Sequence, residues 1–178
     1  ENAEDYFVRQ FNFKYNIANI TVYSDISSEF TMSHAKHTLM VWNYFKKVFA
    51  YSPGNKVVLF YTNKGNLFNQ ILKKYPTVII QGGRQLTAFW DVDHRKWFII
   101  PYKIPDFGTQ IHELSHDFLY ATYRKSEEFP WFKEGSGMYW ESGKFNSTGN
   151  LIVEKPFLHF LQFFKDWQKK NALIPLNK

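Results

Sequence analysis

An α+β fold, with a mixed twisted sheet packed on helices, is what this 178-residue chain predicts. Short segments alternate apolar and polar residues, as half-buried strands do. Longer segments repeat their apolar residues at helical spacing. The two kinds interleave as far as Pro101 and finish there in a strand meander, whereas the rest reads as helical.

Tyr6–Tyr15 and Ile20–Ser24 alternate, as in Phe11, Phe13 and Tyr15 and then Val22, and predict two strands with a turn near Asn16–Asn19. Ser27-Ser28 with Glu29 is a loop and a helix-start signal. Leu39, Trp42, Phe45, Val48 and Phe49 then recur at helical spacing, which predicts a long helix from about Ser33 to Tyr51 that covers a sheet. Ser52-Pro53-Gly54-Asn55 ends it. Lys56–Tyr61 is a Val- and Leu-rich strand, and Asn66–Lys74 a shorter helix that stops before Pro76. Thr77–Ile80 is expected as a strand, Gly82-Gly83 as a turn, Leu86–Val92 as a strand, and Asp93–Arg95 as a turn into the strand Trp97–Pro101. Gly108–Tyr123 is a helix that Asp106 or Thr109 can cap, with Ile111, Leu114, Phe118 and Leu119 as its buried side. Tyr123–Phe129 is a polar loop. Pro130 fits the first turn of a helix Pro130–Glu141, followed by a loop Gly143–Asn150. Lys155–Lys170 is an amphipathic helix with Phe157, Phe160, Leu161, Phe164 and Trp167 inside, and Asn171–Lys178 reads as a frayed tail or as a lead into further chain. The expectation is one domain, residues 1–178, with an upper sheet part to about residue 123 and a lower helical part from about 124.

Composition narrows the function. A hydrophobic content of 44% excludes disorder, and the apolar runs are far too short for a membrane span. The net charge is +6, but the basic residues are scattered in pairs such as Lys46-Lys47 and Lys73-Lys74. No basic stripe of the nucleic-acid-binding kind is present, so no nucleic-acid partner is expected. There is no Cys, so a metal would have to be held by imidazole and carboxylate.

The chemistry concentrates at His112-Glu113-Leu114-Ser115-His116. Residues four apart share a helix face, so both imidazoles point the same way and can share a tetrahedral zinc. Glu113, one residue round, is free to act as a base toward a water that the metal activates. Random chains of this composition would hold about 0.01 such matches. A catalytic zinc needs a third protein ligand and an open position. A continuation His-x-x-Gly-x-x-His is excluded, because Leu119 and Thr122 stand where its Gly and last His would be. The best carboxylate is Glu134 in Pro130-Trp131-Phe132-Lys133-Glu134-Gly135, since residues 117–133 suffice to finish one helix, turn back and start another.

With His112-Glu113-x-x-His116 followed by Trp131-x-x-Glu134-Gly135, the sequence resembles the gluzincins, the thermolysin-like and aminopeptidase-like zinc metallopeptidases, over roughly residues 86–141. The resemblance implies a zincin-like catalytic domain, with one Zn²⁺ per chain held by His112, His116 and Glu134. The thermolysin-type Asn-Glu-x-x-Ser-Asp pattern is absent, Met138 standing at its Asp. The aminopeptidase Gly-x-Met-Glu-Asn motif is absent too, the strand reading Leu86-Thr87-Ala88-Phe89-Trp90. Without a carboxylate there for a substrate amino terminus, an endopeptidase is expected. Glu113 would take a proton from the attacking water and pass it to the leaving amine. Glu141, seven residues after Glu134, can accept a hydrogen bond from a ligand histidine, or simply be solvated. Tyr123 is about 20° from His112 around the helix but three turns along, and Tyr139 about 140° from Glu134, so neither is assigned as oxyanion donor. His159 has no motif to anchor it, and Asp91, Asp93 and His94 read as turn residues. The resemblance also implies an edge strand that pairs with an extended peptide, here Leu86–Val92 with Ala88, Phe89 and Trp90 nearest the cleft. A monomer acting on a peptide or protein substrate is expected, and an extracytoplasmic location because enzymes of this type are mostly exported. The competing reading is a catalytically silent domain that binds protein or carbohydrate.

Overall fold

The computed structural model describes residues 8–49, 56–74, 88–91, 96–99, 107–123 and 130–153; for 88–91, 96–99, 130, 131 and four positions between 68 and 74 it describes the backbone alone. The expected strand Thr77–Ile80, the turns at Gly82-Gly83 and Asp93–Arg95, the cap Asp106, most of the loop Tyr123–Phe129, the helix Lys155–Lys170 with His159, and the tail lie outside these residues.

Among the described residues the architecture is α+β, with helices beside a mixed five-stranded sheet and a two-stranded one. Strands β1 (Phe13–Ile17), β2 (Ile20–Ser24), β3 (Val57–Tyr61), β4 (Ala88–Asp91) and β5 (Lys96–Ile99) lie in the order β1-β2-β3-β5-β4. β1 is antiparallel to β2, β3 is parallel to both β2 and β5, and β4 is antiparallel to β5. β3 is buried at every position, the pattern of a central strand covered on both faces. Val57, Leu59 and Tyr61 belong to the main core, whereas the Phe60 ring packs on Phe11 and Tyr23.

Helix α1 (Ser28–Val48) starts five residues before the apolar periodicity suggests. The extended Ser27 caps it, its Oγ accepting the Phe30 N–H at 3.1 Å, and so brings Phe30 and Thr31 into the buried first turn. The buried side continues through His34, Ala35, Thr38, Val41, Trp42 and Phe45. A short helix α2 (Gly65–Lys74) follows β3. Helix α3 (Phe107–Thr122) buries Ile111, Leu114, Phe118 and Leu119. The Phe118 ring sits 4.6 Å from Trp42 and 5.4 Å from Phe45, so α3 is fixed on α1 by aromatic edges. Helix α4 (Pro130–Glu141) packs on α3 and opens with Pro130, whose missing N–H costs nothing in a first turn.

Two expectations need correction. The segment from Tyr6 is not strand throughout: Phe11 N–H closes a turn onto the Val8 carbonyl, β1 begins at Phe13, and it runs on to Ile17. Gly143–Asn150 is not all loop, because strands β6 (Lys144–Phe145) and β7 (Leu151–Ile152) form a hairpin. Asn146 Oδ1 accepts bonds from Thr148 N, Thr148 Oγ1 and Asn150 N, and Gly149 supplies the positive φ of 75°. Buried Leu151 then accepts a bond from Tyr44 Oη, which ties the hairpin to α1. No helix among the described residues is long and apolar enough to cross a membrane.

β1 and β2 are joined by the two-residue turn Ala18-Asn19, with Ile17 opposite Ile20. Ala18 is held at φ 49°, where its Cβ is strained and a glycine would not be. Ala18→Gly should therefore stabilise the protein by about 1 kcal/mol and raise the melting midpoint by about 2–4 °C in a thermal scan.

Candidate metal centre

α3 presents two sides to different partners. Its apolar side faces α1, and its His112 and His116 side faces α4. The two imidazole rings stand 4.8 Å apart and nearly perpendicular. The ligand-type atoms of His112, Glu113 and His116 lie within 4.8 Å of one another, so this group could hold a metal ion. From α4, the half-exposed Glu134 reaches both rings: one carboxylate oxygen is 3.4 Å from His112 Nε2 and the other 3.7 Å from His116 Nε2. Glu141, two turns further along α4, lies with Oε2 3.0 Å from His112 Nδ1.

These contacts fix the chemistry of His112. Glu141 has only acceptors when ionised, so Nδ1 carries the hydrogen that bonds it. In the neutral ring Nε2 then points a lone pair at the Glu134 oxygen. Two lone pairs repel unless a cation lies between them. Burial disfavours charging the ring, but Glu134, Glu141 and Glu113 together outweigh it and hold the His112 pKa at about 10 when only a proton fills that role. A metal ion meets the same electrostatic demand, and the orientation of the ring by Glu141 is what metal-ligating histidines receive from an acceptor behind them. The residues present therefore fit a metal ion.

His116 is the opposite case. Burial, with help from charged His112 and Lys133, lowers its pKa to about 3, so its ring is neutral with a lone pair to offer. Its Nδ1 is buried without a hydrogen-bond partner among the described residues. Glu134 is partly desolvated, yet His112 and His116 keep its pKa below the usual carboxylate value. Glu113 is buried, and burial raises its pKa to about 7, with Glu134 and Glu141 adding and His112 opposing. A dication beside it would bring that value down.

The centre rests on a polar seam between α1 and α3. Gln110, two residues before His112 and fully buried, donates through Nε2 to the His34 carbonyl at 3.0 Å and to Thr38 Oγ1. Its Oε1 must then accept, and it does so from His37 Nδ1 at 2.6 Å. His37 also stacks on Phe107, at the first turn of α3, with 4.2 Å between ring centroids. This seam sets the rotation of α3 and hence the direction of His112 and His116. The sequence reading missed it; the signal available was His34, His37 and Thr38 on the side of α1 that otherwise carries core residues. It missed Gly137 as well, a glycine inside α4 between the two carboxylates.

Among the other candidates, Ala88, Phe89 and Trp90 lie in β4, which ends the five-stranded sheet among the described residues and packs against α3. Asp91 ends that strand opposite Lys96. Tyr123 and Tyr139 are exposed, and Tyr139 packs on Trp140. Asp93, His94 and His159 lie outside the described residues. Comparison with protein families, with curated proteins and with solved structures finds no match to this chain.

Burial lowers the His37 pKa to about 4 against the Gln110 bond that favours charge. The unfolded ring takes a proton near pH 6.5 and the folded one only near 4, so acidification through that window favours the unfolded chain. The penalty is absent above about pH 6.5 and reaches about 3 kcal/mol below about pH 4. His37→Asn, which keeps a donor for Gln110, should flatten the fall in stability between pH 6.5 and 4 when denaturant midpoints are measured across that range.

Proposed function

We propose that this protein is a zinc-dependent peptidase of the gluzincin kind, in which His112, His116 and Glu134 hold one Zn²⁺ and Glu113 is the general base. The observation that carries the proposal is the meeting of both Nε2 atoms with the two oxygens of one carboxylate, contributed by a second helix, beside the buried Glu113. Two imidazoles and a carboxylate, with no thiolate, are the donor set of a catalytic zinc with one open position. Zinc, when bound there, supplies a Lewis acid that polarises a carbonyl and makes a water acidic near neutral pH.

The chain's own groups account for the rest. Glu113 is held out of bulk water beside both imidazoles, so it can take a proton from the attacking water and return it to the leaving amine of a cleaved peptide bond. Glu141 fixes the His112 tautomer and ring direction. The exposed position of Glu134 leaves the site open on that side, as a polymeric substrate requires. β4, the last strand of the sheet among the described residues and packed against α3, is the place where an extended peptide would pair alongside Ala88, Phe89 and Trp90, and an internal stretch of peptide suits such pairing, which favours an endopeptidase. Export from the cytoplasm and action as a monomer belong to the same proposal.

The wild type with zinc should cleave an unstructured protein substrate or a peptide library. Glu113→Gln should retain zinc and lose hydrolysis by about 10²-fold or more. Equal cleavage by the variant would remove Glu113 from the base role. A zinc-loaded wild type that cleaves nothing would leave a binding domain instead.

A further inference from the structure

We propose that Gly137 is a positioning residue of this centre: the space left by its missing side chain lets the His112 ring hold Nε2 toward His116 and Glu134. The proposal rests on the metal-centre reading above. Gly137 lies inside α4, buried, three residues after Glu134 and four before Glu141, and so on the face that carries both carboxylates. Glycine is a poorer helix former than alanine at such a position. Its place there needs a reason, and the geometry gives one.

A methyl group on the Gly137 Cα would stand 2.7 Å from His112 Nε2, 2.8 Å from Cε1 and 2.9 Å from Cδ2. These three atoms are the far end of the ring, the end that faces Glu134 and His116. The ring cannot retreat and still serve, because its Nδ1 is bonded to Glu141 and its Nε2 must stay with Glu134. Gly135, two residues earlier on the same helix, meets nothing within 4 Å of an added methyl. The requirement is thus specific to position 137. The nearest obstacles to the methyl are atoms of a side chain that can turn about its own bonds. Alanine at 137 should therefore be accommodated by turning the His112 ring away, which preserves the helix and spoils the site.

The test compares Gly137→Ala with Gly135→Ala. Zinc affinity is measured by competition with a chromophoric chelator, and the hydrogen-bonded His112 Nδ1–H is followed by proton NMR in metal-free protein. Gly137→Ala should weaken zinc binding tenfold or more and lose the Nδ1–H resonance, whereas Gly135→Ala stays within twofold of the wild type and keeps it. Zinc affinity within twofold of wild type in Gly137→Ala, or a retained Nδ1–H resonance, overturns the proposal. Should the wild type take up no zinc, the metal-centre reading fails, and the resonance alone decides whether Gly137 orients the ring. Should Gly137→Ala fail to fold, the same change is made on His112→Ala. With the ring gone, alanine at 137 should leave the melting midpoint unchanged or raise it. A lower midpoint there would show that the obstacle is not His112 and overturn the proposal.

Discussion

Both ring nitrogens of His112 answer to the same helix: Nδ1 to Glu141 and Nε2 to Glu134. This one imidazole is where α3 and α4 are joined in register, and the properties of its neighbours follow from it. Its charge in the metal-free protein helps keep His116 neutral and Glu134 ionised. Its position fixes how closely α4 can approach, and that approach leaves no room for a side chain at residue 137. Gly108 repeats the arrangement from the α3 side, since a methyl there would stand 3.2 Å from Glu141 Cγ and from the Glu141 carbonyl. Two carboxylates, a histidine and two glycines thus specify a helix pair that presents nitrogen and oxygen donors to one point.

The other side of α3 is held differently. Phe118 locks into the α1 aromatic cluster with Trp42 and Phe45, which gives adhesion without much direction. Direction comes from Gln110, whose donors and acceptor are all used against α1. Burying an amide costs free energy unless every hydrogen bond is made, so only one rotation of α3 is favourable. The apolar contacts keep the helix in the core, and the polar seam sets which way His112 and His116 face.

Much of this was legible in the sequence because it depends on spacing within one helix. A spacing of four from His112 to His116 makes a shared face wherever the helix forms, and a spacing of seven from Glu134 to Glu141 does the same on α4. The structure brings both carboxylates to His112. The α+β architecture was legible for the same reason, from two competing periodicities. What depended on distant pairings was not. Gln110 meets residues 72 to 76 positions away, and no local pattern announces them. Gly137 reads in sequence as a weak spot in a helix; only the distance to the His112 ring gives it a purpose. The early start of α1 was available in Ser27 and Glu29, but the apolar period outweighed the cap. The β6–β7 hairpin was hidden because its strands are two residues long and its loop is organised by one asparagine side chain.

Whether three ligands hold a metal here is read from the zinc content and zinc X-ray absorption of the wild type and of Glu134→Ala after dialysis against zinc. The wild-type chain should hold about one zinc, bound by nitrogen and oxygen alone at about 2.0–2.1 Å with two imidazoles in the shell, and the variant should lose it or bind it much more weakly. A wild-type protein that holds no zinc, or a Glu134→Ala protein that holds it as tightly as the wild type, would contradict it.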